Sequence, residues 1–198
     1  SAGTSVSFAE VNARINRLDN ALAGLGLAHG DRVAVLSRNR PELFEVYGVA
    51  KGGLVAVPLN WRLAARELLH PLKDSRPHAI VAEPNFTPVI DALRPVLASV
   101  RHFIVLGEAR DGWSGYESVL AGASADEPRF EANPEDALCL TYSSGTTGLP
   151  KGVVLPHRAL LANMLGIGTA ARFNVDDAAL AWLPLYHDMG LIGHFLAS

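Results

Sequence analysis

This 198-residue chain has one cysteine and three lysines, and each shortage excludes something. With Cys139 alone no internal disulfide can form, which points to a reducing, cytoplasmic setting. Seventeen basic against twenty acidic residues leave a charge of −3. There is no Lys/Arg run and no acidic tail, so the basic face that a nucleic-acid partner needs is missing. No apolar run approaches the ~20 residues that span a bilayer. Ser1-Ala2-Gly3-Thr4 offers neither a basic segment nor a long apolar stretch, so no signal peptide is expected. A starting Met is absent and the sequence stops at Leu196-Ala197-Ser198. Both ends are therefore expected to be cuts in a longer chain.

What is present is globular: 49% hydrophobic and 19% charged residues, enough length to bury ~70% of the unfolded surface. Ser7 and Glu10 have capping-box spacing, and Phe8, Val11, Ile15, Leu18, Leu22 and Leu25 form one apolar stripe, which predicts a helix. Residues 32–36 are short, apolar and rich in β-branched side chains, as in a buried strand. Pro41 opens the next helix, and 54–59 is a second strand. A helix over 63–73, which Pro71 should kink or end early, leads to a strand at 79–82. A helix over 86–97 leads to a strand at 103–106. Strands separated by such helices imply an α/β fold with parallel sheets flanked by helices. Residues 1–107 read as a first α/β subdomain and 108–135 as a loose connection with one short helix near 116–120. Residues 136–198 read as the start of a second subdomain, joined as a separate sheet region. In it, 137–142 and 153–155 are strands, 157–172 a helix, 179–183 a strand, and 188–197 the beginning of a helix.

The stretch LTYSSGTTGLPKGVVLPH, residues 140–157, carries the chemistry. Between Ser143 and Lys151 stand four hydroxyls, two glycines, a proline and a lysine. Gly145 and Gly148 let a backbone approach a ligand closely. The hydroxyls of Ser143, Ser144, Thr146 and Thr147, with the backbone N–H groups, offer donors to phosphate oxygens. Lys151 adds a point charge. A plain turn is the bland alternative, but a hairpin needs only two to five loop residues, and this one spends about nine. The Walker pattern fails, because Pro150 stands five residues after Gly145 and Gly152 follows Lys151.

Over Leu140 to Lys151 the loop resembles the signature of the adenylate-forming superfamily, which includes acyl-CoA synthetases, acyl-AMP ligases, luciferases and amino-acid adenylation domains. Phe8 to Leu36, Pro41 to Asn60 and Trp61 to Ser75 are similar to the family's opening segments. Trp182 to Gly190, with His187-Asp188-Met189-Gly190, is similar to its next motif, beside the acyl pocket. The resemblance covers nearly the whole chain and less than half of a full member. It implies ATP as cosubstrate and a magnesium ion whose ligands are not assignable here. It also implies a carboxylic acid, expected to be fatty acyl, activated as acyl-AMP, and CoA or a phosphopantetheine carrier protein as acceptor. In it Ser143, Ser144, Gly145, Thr146, Thr147, Gly148 and Lys151 hold the β- and γ-phosphates, and His187 lies near the carboxylate and the α-phosphate. A histidine capping the following helix or packed against the sheet is the other reading of His187, and a cap is the favoured one for Asp188.

The resemblance also implies what lies beyond Ser198: the ribose-binding aspartate and a small C-terminal domain with a catalytic lysine. These residues alone are therefore expected not to complete adenylation. The incomplete fold is expected to expose apolar edges and to associate through them. A non-catalytic nucleotide- or partner-binding domain of the same fold is the alternative, and an amino-acid adenylation fragment, resting on Asp188, a third.

Overall fold

Ser7 starts the first helix as its spacing predicts. Its hydroxyl accepts from the Glu10 N–H while the Glu10 carboxylate accepts from the Ser7 N–H, the reciprocal box that satisfies two orphan donors. A computed structural model describes residues 6–143, 148–174, 176–177 and 182–196. Helix α1 (Phe8–Gly24) is followed by β1 (Arg32–Leu36), α2 (Pro41–Gly48), β2 (Val55–Pro58), α3 (Ala65–Ser75) and β3 (Ala79–Ala82). Then come α4 (Thr87–Leu93), β4 (His102–Val105), β5 (Ser114–Gly115) and α5 (Tyr116–Ala121). The hairpin strands β6 (Ala137–Tyr142) and β7 (Gly152–Pro156), helix α6 (His157–Ala171) and a π-helix (Met189–Leu196) complete the described part.

The strands form one seven-stranded sheet in the order β5-β4-β3-β1-β2-β6-β7. All neighbours are parallel except β6 and β7, which are antiparallel. Successive residues of a strand face opposite sides, and β1 shows it. Val33 and Val35 join a core with Leu18 and Leu22 of α1, Val46 of α2 and Leu160 of α6. Ala34 and Leu36 join another with Leu68 and Leu72 of α3 and Ile90 of α4. Helices thus cover both faces, and the central strands β1, β2 and β3 are apolar apart from Arg32 at the start of β1, because neither side meets water.

Four expectations change. The connection does not separate two sheets, because β6 pairs with β2 at Ala56–Cys139 and extends the sheet of β1–β5. Nor is it loose. Asn16, Arg17 and Asn20 of α1 donate to the carbonyls of Ala125, Ala123, Ser124 and Asp126, and Lys51 pairs with Glu127. Helix α3 runs through Pro71 to Ser75. The residue whose carbonyl loses its donor, Glu67, is exposed, and Pro77 is what stops the helix. The helix expected over 86–97 is instead α4 between two 3₁₀ turns, Pro84–Phe86 and Arg94–Val96, since Pro84, Pro88 and Pro95 cannot donate.

The strand expected at 179–183 falls largely outside the described residues. The final helix is present, with π geometry. Val153 and Val154 of β7 and Leu161 and Leu165 of α6 are exposed, so apolar surface does lie at that edge. Among the described residues no helix is long and apolar enough to cross a membrane.

One buried group is at odds with its surroundings. Asp19 of α1 is 3% exposed and neither carboxylate oxygen has a hydrogen-bond partner. Burial pushes its carboxyl up to about 8, against a smaller downward pull from the Gly52 N–H and the Lys51 charge.

Candidate functional site

In an open α/β sheet, ligands sit outside the carboxyl ends of the strands. Here β2 and β6 end side by side, at Pro58 and Tyr142, and a cleft of about 900 Å³ opens there. Its walls come from Leu59 and Asn60 after β2, Ser143 and Pro150 of the loop, and Leu160 and Ile167 of α6; His187, Asp188 and Ile192 also line it. One side is apolar, from β7, α6 and the π-helix. The other carries the loop.

The antiparallel register brings Tyr142 opposite Gly152. At the loop's neck the Ser143 N–H donates to the Lys151 carbonyl at 3.0 Å. The Lys151 N–H donates to the Ser143 hydroxyl oxygen at 3.1 Å. Ser143, Gly148 and Lys151 are exposed. Gly148 has nothing within 4 Å of where a Cβ would stand. Ser144, Gly145, Thr146 and Thr147 lie outside the described residues.

His187 lines the same cleft. Its N–H closes a turn onto the Pro184 carbonyl at 3.1 Å, and its carbonyl accepts from Leu191 at 3.0 Å, which joins the turn to the π-helix. Its Nδ1 is 2.5 Å from an Asp188 oxygen. That carboxylate also accepts from the Met189 N–H at 2.7 Å, a cap-like contact at the start of the helix. The site therefore brings Ser143 and His187 to one cleft, with Lys151 next in the chain to the lining residue Pro150.

Sequence reasoning missed the residues that hold the His187 segment. The exposed Asn39, after β1, donates to the Leu183 carbonyl at 2.9 Å and accepts from the Leu185 N–H at 3.0 Å. The buried Tyr47 hydroxyl donates to the Leu185 carbonyl at 2.7 Å. These partners lie about 140 positions apart in sequence, and no local pattern marks them. We expect Asn39→Ala to lose both bonds, at about 1 kcal/mol each. Faster amide exchange at Leu185, with β1–β3 unaffected, would register it; an unchanged rate would show that Tyr47 suffices.

Cys139 is fully buried and burial pushes its thiol up to about 12, as suits a small apolar filler. Trp61 packs at the end of β2 under the Arg62 guanidinium, 4.6 Å from the ring centre. Trp182 is 73% exposed. Among the described residues no group of three or more His, Cys, Asp or Glu side chains is placed to hold a metal ion.

A family model described as AMP-binding enzyme matches residues 1–198. The chain is 37% identical over 188 residues to an indoleacetate–CoA ligase of Aromatoleum aromaticum, covering 94% of this chain and 37% of that protein. It is 34% identical over 194 residues to the fatty acid–[acyl-carrier-protein] ligase ScoC of Streptomyces coeruleorubidus, covering 96% and 36%. The fold superposes on the ATP-bound crystal structure of MatB from Rhodopseudomonas palustris with a TM-score of 0.84 at 33% identity, over 97% of this chain and 38% of that one. The chain spans somewhat more than a third of the length of these relatives.

Proposed function

The chain belongs to the AMP-binding enzyme family over residues 1–198, and from that premise we propose that it is the N-terminal part of an ATP-dependent, carboxylate-activating ligase. The observation that carries this reading is the neck of the loop, pinned between Ser143 and Lys151, with Ser143 and Pro150 lining the same cleft as His187. In the reaction a carboxylate oxygen attacks the α-phosphorus of ATP and pyrophosphate leaves. The mixed anhydride then passes its acyl group to a thiol.

The residues serve this chemistry by position and charge. Ser143, Ser144, Gly145, Thr146, Thr147, Gly148 and Lys151 hold the β- and γ-phosphates and offset the charge that builds on the leaving pyrophosphate. His187, on the same cleft, donates to the carboxylate or the α-phosphate. The apolar wall from Leu160, Ile167 and Ile192 receives the acyl body, which favours a fatty or aromatic acid. Both CoA and a carrier protein remain in play as acceptor, since the two relatives named differ in this. The Asp188 carboxylate is already engaged by His187 and Met189, which disfavours the amino-acid reading. The described residues offer no ready-made magnesium site, and no step is assigned to one. The setting is cytoplasmic in this reading, consistent with a lone buried thiol.

Calorimetry with magnesium and ATP tests it, on the full-length polypeptide and on its Lys151→Ala variant. We expect affinity to drop at least tenfold on losing the ammonium, the scale of one charge-assisted bond. Equal affinity in both would remove the loop from the nucleotide site. Pyrophosphate exchange with fatty and aromatic acids then identifies the acid.

A further inference from the structure

Helix α3 grips the loop on both of its arms. His70 and Asp74 stand four residues apart and so share one face of the helix. His70 Nε2 is 2.8 Å from the Pro150 carbonyl oxygen, on the arm leading into β7. The Asp74 carboxylate accepts from the Tyr142 hydroxyl at 2.8 Å, on the arm leaving β6. The His70 ring meets the Tyr142 ring edge-on at 6.4 Å and 80°, which links the two jaws. A carbonyl only accepts, so Nε2 must carry the proton, and the bond is made by the neutral ring in that tautomer and by the protonated ring alike.

The consequence falls on one peptide unit. The bond between Pro150 and Lys151 is planar and rigid. Its carbonyl is held by His70, and its N–H by the Ser143 hydroxyl. Both polar ends of the plane are therefore fixed, and with them the Cα from which the Lys151 side chain departs. The Lys151 carbonyl is fixed in turn by the Ser143 N–H. Burial and the Asp74 acceptor hold the Tyr142 hydroxyl well above the usual phenol range, so it stays a donor.

We propose that His70, seconded by Asp74, is a positioning residue that pre-orients the Pro150–Lys151 peptide, and hence the Lys151 ammonium, for the polyphosphate. This rests on the reading of 143–151 as the phosphate loop. His70 touches no phosphate; it acts through Lys151 by removing conformations that binding would otherwise have to exclude.

The experiment compares the full-length polypeptide with its His70→Ala, His70→Gln and Asp74→Ala variants. Amide exchange at Ser143 and Lys151 reports the neck, and β1 and β3 amides report the fold. We expect His70→Ala to raise exchange at Lys151 about tenfold, the scale of one lost hydrogen bond. KM for ATP should rise by a similar factor, with kcat within about threefold. His70→Gln keeps a donor of similar reach and should recover most of both effects. Should His70→Ala not fold, Asp74→Ala, which alters an exposed side chain, should still speed exchange at Ser143.

Unchanged neck exchange in the folded variants overturns the proposal, and so does a His70→Gln variant that behaves like the alanine. If the neck loosens as expected while Lys151→Ala leaves ATP affinity intact, the loop is not the phosphate site. In that case the positioning of Lys151 for polyphosphate falls with it, and only the clamp remains.

Discussion

The stability of the native chain should fall by on the order of 4 kcal/mol between pH 4 and pH 7, and an Asp19→Asn variant should not show that fall. The carboxyl titrates near 8 in the fold against an ordinary value of 3.8. The folded state therefore holds the proton more tightly than the unfolded one. For a carboxyl whose folded value is raised, stability is greatest below the unfolded value. It then falls by about 1.4 kcal/mol per pH unit until the folded value is passed. The window here runs from roughly pH 4 to pH 8, and pH 7 stands some three units into it. Asparagine keeps the shape, cannot ionise and should flatten the curve across that window. Urea unfolding at pH 5, 7 and 9 checks it. Parallel curves for the two proteins would mean that Asp19 finds a partner or water that lowers its pKa. Gly52 sharpens the case, since a Cβ there would stand 2.6 Å from an Asp19 oxygen.

Gly190→Ala should displace His187 from the cleft. A Cβ at 190 would lie 2.3 Å from the Pro184 carbonyl oxygen and 2.9 Å from its carbon. Both atoms are backbone, so no rotamer change relieves the clash. That same oxygen accepts the His187 N–H, so the clash strikes the bond that forms the turn. Overpacking alone costs about 1–3 kcal/mol, and the lost turn adds about one more. Gly193→Ala is the matched control. There the Cβ would meet Met189 Sδ at 2.7 Å, the far end of a flexible and half-exposed side chain. We expect Gly190→Ala to lower stability and abolish protection of the His187 amide, and Gly193→Ala to do neither. Equal behaviour of the two variants would show that the turn yields as easily as a thioether.

What the sequence disclosed was local. The capping box, Pro41 at the head of α2 and the β-branched runs of β1 and β3 place their elements within a residue or two. In each case the determinant lies within a few positions. The hairpin that carries the loop was legible for the same reason, since β6 and β7 are local apolar runs on either side of it. What escaped was long-range or cancelling. The pairing of Ala56 with Cys139 sets one sheet where two regions were expected, and no periodicity encodes it. Asn39, Tyr47 and His70 look like ordinary polar residues until their distant partners are placed beside them. Asp19 sits inside the turn between Leu18 and Leu22 and was unremarked, because a stripe defined by its apolar members says nothing about a charge among them. Pro71 leaves α3 unbroken, since a proline's cost depends on which carbonyl it leaves unpaired.

The strand order also carries a schedule. Strand β1 has both its neighbours, β2 and β3, by residue 82, and β4 is in place by residue 105. The outer side of β2 has no partner until 137–142 exist. A ribosome adding ~5–20 residues per second leaves that side vacant for roughly 4–16 s. During that interval a strand later buried to the last residue is an edge. It is only four residues long and ends in Pro58, which has no N–H to offer. Both traits discourage a stray strand from adding there, and the place is kept for the hairpin that brings the loop.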